Sequence, residues 1–326
     1  MTDSADHLPE DRRGDLTKAR RLAAWSLAYL VSTVLLLGLV MAGSQALKTE
    51  LVDDALSMIA PLLFLVGDRI SGREPTERYP YGFARAVSAG YLGAAVALFA
   101  VGGWLFFDSA MKLVHLERPS INGVEVFGQV IWRGWLAIPV LLWSSVPAFF
   151  LGRGKQKLGK RLHDKVLLAD AETNEADWQS AGAAMAGVLG IAAGLWWADA
   201  AAALFISLEI MRSGFNEIRS AVGDLMDRRP EKLGEKGLDP LPEELTAFFK
   251  RQPWVKDAVV RVREEGRRFT GEVFVVPTGD EELLERIEKA SEEACGLDWR
   301  LAEMLVTPVH AIPQPLEAVR ADQPQR

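Results

Sequence analysis

Asp53-Asp54-Ala55-Leu56-Ser57 lies inside an apolar stretch, and Ala169-Asp170-Ala171-Glu172-Thr173-Asn174-Glu175-Ala176-Asp177 opens another hydrophobic run far downstream. A charge at membrane depth costs about 2.5 to 3.5 kcal/mol by insertion scales, so acidic residues in spanning helices face a partner, a cavity or a transported ion. These two clusters are the strongest lead to both fold and function.

The composition agrees with a chain that is part membrane and part soluble. Of 326 residues, 49% are hydrophobic and ten are Trp, and the mean hydropathy is slightly positive at +0.07. The single cysteine, Cys295, excludes an intrachain disulfide framework, and four scattered His make no zinc cluster by themselves. The first residues are polar and charged (His7, Glu10, Asp11, Arg12, Arg13, Lys18, Arg20), so no secretory signal is evident. Residues 1–22 read as a disordered cytoplasmic head.

A helix needs about 20 apolar residues to cross roughly 30 Å of hydrocarbon. Runs of that kind fall near 23–46, 51–70, 86–108, 130–151, 178–197 and 199–221, which predicts six spans within a membrane domain over 23–229. Cations collect in the head, after span two (Arg69, Arg73, Arg78, Arg85), between spans four and five (Arg153, Lys155, Lys157, Lys160, Arg161, Lys165) and after span six (Arg219, Arg228, Arg229). By the positive-inside rule those segments and both termini are cytoplasmic. With no organelle signal, the expected location is the plasma (inner) membrane.

From Pro230 the apolar blocks shorten. Residues 242–251 pattern as a helix with Glu243 and Glu244 in its first turn. Residues 255–262 and 269–276 read as a hairpin around Glu265-Gly266. Asp280 is the expected cap of a helix to about Cys295, and 300–310 reads as a third strand. The order α-β-β-α-β predicts a small α+β cytoplasmic domain over 230–312, followed by a disordered tail over 313–326. With 14 Lys/Arg against 20 Asp/Glu from Glu231 onward, it is too acidic for a nucleic-acid module.

An α-helical membrane protein with six transmembrane helices, polar clusters in the second and fifth, and an α-β-β-α-β tail resembles the cation diffusion facilitator family. Further anchors are Leu51-Val52-Asp53, Tyr79-Pro80-Tyr81-Gly82, Ala169-Asp170 followed by Asp177, and Leu225-Met226-Asp227-Arg228. The resemblance implies a homodimeric exporter in the lipid bilayer that exchanges a divalent cation for protons. It also implies a four-residue site with two residues, four apart, on each of spans two and five.

Carried over, that site falls on Asp53, Ser57, Thr173 and Asp177. Residues four apart share one helix face, so two helices can present four ligands to one ion. The family's His in span five is Thr173 here, and Ser57 replaces a second ligand in span two. Zinc prefers nitrogen and sulfur, whereas this oxygen set favours Mn²⁺, Fe²⁺ or Mg²⁺ over Zn²⁺, with no tightly bound cofactor. Asn174 is an alternative neutral ligand, and Asp170 or Asp54 are expected as outer helpers. The resemblance also assigns Arg85 and Asp227 to a hinge pair between the membrane and cytoplasmic parts.

Other readings of these residues stay open. Asp53 and Asp54 can cap span two at the interface, and Ser57 can be a packing residue. Thr173 can bond the carbonyl one turn back. Glu209 and Arg212, at i and i+3, are expected to neutralise each other. The chain reads as a secondary transporter rather than an enzyme, since it has no nucleophile elbow, P-loop or His-Glu-x-x-His motif. The rival class is a non-transporting membrane scaffold or regulator that retains the transporter fold.

Overall fold

The computed structural model describes residues 8–314 and 316, except 42, 72, 74, 118–122, 127–128 and 234–236. The chain forms two compact units, Met1–Val222 and Gly223–Arg326.

The first unit is helical. Helix α1 runs Glu10–Val40, α2 Gln45–Ser57, α3 Ile59–Ser71, α4 Ala84–Val114, α5 Arg133–Leu162 and α6 Lys165–Ala192. Helix α7, Ala198–Leu225, crosses the boundary into the second unit. Among the described residues, three helices are long and apolar enough to cross a membrane: Glu10–Val40, Ser88–Val114 and Arg133–Leu162. Helices α6 and α7 have 28 residues each, but their carboxylates break the apolar run. Large apolar side chains stay exposed around the unit, among them Trp25, Leu39, Phe107 and Phe150. Lipid rather than water suits a surface of that kind.

Several expectations are corrected. The head expected to be disordered is helical from Glu10. Glu10 and Asp11 complement the dipole of its first turn, and buried Asp15 pairs with Lys18 at 3.2 Å and with Arg161 of α5 at 2.9 Å. Residues 1–7 lie outside the described residues. Span four does not begin at 130, because residues 123–126 and 129–132 pair as an antiparallel hairpin, β1 (Gly123–Val126) with β2 (Gln129–Trp132), and α5 starts at Arg133. The basic loop expected after span four is mostly helix, since α5 continues to Leu162 and α6 begins at Lys165, with Asp164 accepting a hydrogen bond from the Leu167 amide at 2.8 Å.

Span two is two helices, interrupted at Met58. Pro61 explains the break: it has no N–H, and its ring crowds the carbonyl four residues earlier, that of Ser57. At its other end, α2 is held by Asp199 of α7. This carboxylate accepts from the Ser44 hydroxyl and the Gln45 amide at 2.6 Å each, and from the Ala46 amide at 3.3 Å. Glycines let α4 and α7 touch closely. A Cβ on Gly214 would lie 2.6 Å from the Phe99 nitrogen, and one on Gly102 would lie 2.9 Å from the Met211 nitrogen.

In the second unit, α8 (Leu241–Lys250), β3 (Val255–Glu265), β4 (Arg268–Pro277), α9 (Leu283–Cys295) and β5 (Leu301–Pro308) follow in the order read from the pattern. The sheet order is β3-β4-β5. Strands β3 and β4 are antiparallel around Gly266 (φ 67°), and β4 and β5 are parallel, joined by the α9 crossover. Leu245, Phe249, Val260, Phe269, Val273 and Met304 are buried in one core. Burial opposes the charge on Arg300, but hydrogen bonds to Asp298 and Asp239, at 2.7 Å each, outweigh it and push its pKa up. Asp280 does not cap α9; Glu282 holds the N-cap position and makes no side-chain cap bond. Of the tail expected to be disordered, Leu316 is buried and its amide bonds the Pro313 carbonyl, while residues 317–326 lie outside the described residues.

Replacing Gly214 by Leu forces a side chain into the Phe99 backbone and should cost about 1 to 3 kcal/mol. Gly93 has no atom within 4 Å of a built Cβ. Thermal melting of the purified protein should therefore fall for Gly214→Leu and stay level or rise for Gly93→Ala.

Candidate cation site

A cavity of about 60 Å³ lies between α2–α3, α4, α6 and α7. Asp53, Ser57, Thr173 and Asp177 all line it, with Ser180, Tyr91, Glu209, Ser213 and Glu217. That is room for a cation keeping part of its water. Leu56, Ile59 and Ala60 also line it, so the interrupted segment of span two faces the space. Because residue 61 is proline, the Ser57 carbonyl has no amide one turn ahead to bond, and the break falls beside the cavity.

The Ser57 and Thr173 hydroxyls have already spent their protons. Ser57 Oγ donates to Asp177 Oδ1 at 3.1 Å, and Thr173 Oγ1 donates to the Ala169 carbonyl at 3.1 Å. A hydroxyl has one donor and two acceptor lone pairs, so both oxygens present only lone pairs to any further partner. Asp177 is 3% exposed, and its Oδ2 accepts no hydrogen bond among the described residues. Asp53 is half-buried at the cavity wall. Among the described residues, no Lys, Arg or His lines the space. Asp53, Ser57, Thr173 and Asp177 offer oxygen lone pairs suited to a cation or a proton, and Gln179 and Tyr91 add polar groups to the same wall. Among the described residues, no three His, Cys, Asp or Glu side chains are grouped closely enough to hold a metal together. Carboxylate alone therefore cannot complete a shell in this conformation.

The remaining candidates face elsewhere. Asp170 forms a 2.8 Å ion pair with Lys155 of α5, both fully buried, and Asn174 Nδ2 donates to the Asp170 carbonyl and, at 3.3 Å, to its carboxylate. Asn174, expected as an alternative ligand, and Asp170, expected as an outer helper, are thus engaged with each other and with α5, while Thr173 and Asp177 line the cavity. Asp54 accepts from Ser144 Oγ of α5 at 3.2 Å, and the carbonyl of Ser144 accepts from the Tyr29 hydroxyl. No ion pair joins Glu209 to Arg212 among the described residues; Glu209 lines the cavity and Arg212 is exposed. Arg85 stands in the first turn of α4 in the first unit, and Asp227 follows α7 in the second.

The sequence reading missed three residues. Lys155 looked like one cation of a basic loop, and only the length of α5 buries it. Glu50 is fully buried, with Oε1 accepting from Ser180 Oγ at 3.4 Å; its place one turn before Asp53 on the same helix was the available signal. Glu217 lies eight residues beyond Glu209, and that spacing also signals a shared face.

Residues 22–226 match the family model described as the cation efflux transmembrane domain. The chain belongs to the cation efflux family, the cation diffusion facilitators. It is 25% identical over 189 residues to an uncharacterized transporter of Methanocaldococcus jannaschii, covering 58% of this chain and 62% of that protein. It is 25% identical over 219 residues to the manganese efflux system protein MneS of Bacillus subtilis, covering 67% and 71%. It is 21% identical over 192 residues to the magnetosome protein MamB of a Magnetospira species, covering 59% and 61%. The match thus spans less than two thirds of the first and third of these proteins.

Breaking the buried Lys155–Asp170 pair from one side leaves an uncompensated charge and should cost about 3 to 5 kcal/mol. Lys155→Met should therefore melt far below wild type, and Lys155→Met/Asp170→Leu should recover most of the loss. Melting curves of the two variants check this.

Proposed function

We propose that the chain exports a divalent cation through an oxygen-only site formed by Asp53, Ser57, Thr173 and Asp177, by alternating access between the two sides of the membrane. The observation that carries it is the shared cavity, where two carboxylates and two proton-spent hydroxyls offer lone pairs and no cationic side chain competes. Lone pairs of oxygen suit Mn²⁺, Fe²⁺ or Mg²⁺ better than Zn²⁺. The relatives named for manganese efflux and for magnetosomes agree with a hard or borderline ion. Asp170, Asn174 and Asp54 serve as packing and positioning groups in this reading, not as ligands.

Protons compete for the same carboxylate oxygens, so inward proton movement can displace the ion and drive its release. The reading includes six spans, with α2 and α3 together making the second and α6 and α7 the fifth and sixth. Both termini are cytoplasmic, two copies form a homodimer in the plasma (inner) membrane, and Arg85 and Asp227 act as the hinge pair between the units.

The full chain in liposomes should take up Mn²⁺ when given a pH gradient, and Asp53→Ala or Asp177→Ala should abolish the flux. Ser57→Ala and Thr173→Ala should weaken apparent affinity about tenfold, a single lost oxygen contact of about 1.4 kcal/mol. Asp54→Asn should keep transport. Flux of Zn²⁺ alone would overturn the oxygen-site reading. No flux of Mn²⁺, Fe²⁺, Zn²⁺, Co²⁺ or Mg²⁺ would favour the scaffold.

A further inference from the structure

We propose that α7 carries a cation-capture track, formed by Glu209, Ser213 and Glu217, that binds a divalent cation transiently and passes it to Asp53 and Asp177; this rests on the transport reading above. The three residues recur at i, i+4 and i+8, so they share one side of the helix and span about 12 Å along it. All three line the cavity that also holds Asp53, Thr173 and Asp177. Each is half-buried, and neither glutamate has a salt-bridge partner within 4.0 Å among the described residues. Glu172 of α6 adds a like charge acting on Glu217.

A row of carboxylates inside an apolar helix would be idle as mere surface charge. Here it leads to a buried oxygen without a partner, Oδ2 of Asp177. Asp177 and the track line one cavity with no cationic side chain among the described residues, so a mobile cation is the group that fits both. Position along the helix gives the direction. Glu217 lies two turns from the end of α7 that precedes Arg228 and Arg229, the cytoplasmic end by charge, and Glu209 lies deeper. Phe99 against Gly214 and Met211 against Gly102 clamp α7 to α4, which fixes the track at the cavity wall.

The test is initial Mn²⁺ uptake by the full chain in liposomes, measured over a range of concentrations. Glu217→Gln and Glu209→Gln together should raise KM for Mn²⁺ about tenfold while maximal rate stays within about twofold, the split expected when capture but not the moving step is lost. Glu217→Asp should restore most of the affinity, and Arg212→Gln should leave KM unchanged. High monovalent salt should narrow the gap between wild type and the double variant, because screening removes electrostatic capture. An unchanged KM in the double variant, with Asp53→Ala inactive, would overturn the track and leave the site standing. A fall in maximal rate alone would show a structural role and overturn it too. Absence of wild-type flux would sink the transport reading and the track together.

Discussion

A carboxylate that has left water must find hydrogen-bond donors or a cation for its charge, and Asp177 finds very few. One oxygen receives the Ser57 hydroxyl and the other receives nothing among the described residues. This unmet electrostatic demand organises the surrounding helices. Asp53 and Glu50 bring further acid from α2, and α7 presents Glu209 to the same cavity. Stability would favour apolar residues at each of these positions, so their retention is costly unless a cation visits.

The same helix shows what a satisfied buried acid looks like. Two turns before Asp177, Asp170 is equally buried, yet it meets Lys155 at 2.8 Å and the amide of Asn174. Small residues make that meeting tight: a Cβ on Gly152 would lie 3.2 Å from the Ala171 carbonyl, and one on Gly159 would lie 3.2 Å from the Leu168 nitrogen. Helix α6 is therefore divided along its length, because Asp170 and Asp177 lie two turns and about 10 Å apart on it. The Asp170 end is neutralised against α5 and fixes the helix, and the Asp177 level stays bare and lines the cavity.

Rigidity and interruption are combined in α2. Asp199 pins its first turn through three hydrogen bonds, and Pro61 ends its regular bonding just past Ser57. Asp53 thus stands on a held helix, whereas Ser57 stands at its broken end, where a change of helix direction costs least. The second unit is built on a different principle. Its core is apolar, and half-buried Arg300 lies over the Phe269 ring and pairs with Asp239 and Asp298.

The sequence by itself determined what depends on local pattern. Apolar run lengths marked the long helices, the Glu265-Gly266 turn marked the β3–β4 hairpin, and the family resemblance singled out Asp53, Ser57, Thr173 and Asp177, whose i, i+4 spacings put each pair on one helix face. Only the tertiary structure decided what depends on neighbours distant in the chain. Asp170 carries the same chemistry as Asp177, but two turns earlier on the helix it meets Lys155, a partner fifteen residues earlier on another helix. Glu209 looked neutralised by Arg212 because i, i+3 residues can meet, yet one lines a cavity and the other is exposed. Residues 10–22 looked unstructured because they are polar, and Asp15 shows why they are helical: the α5 end supplies Arg161 as its partner. Spacing along a chain fixes which side of a helix a residue occupies, and only packing fixes what that side meets.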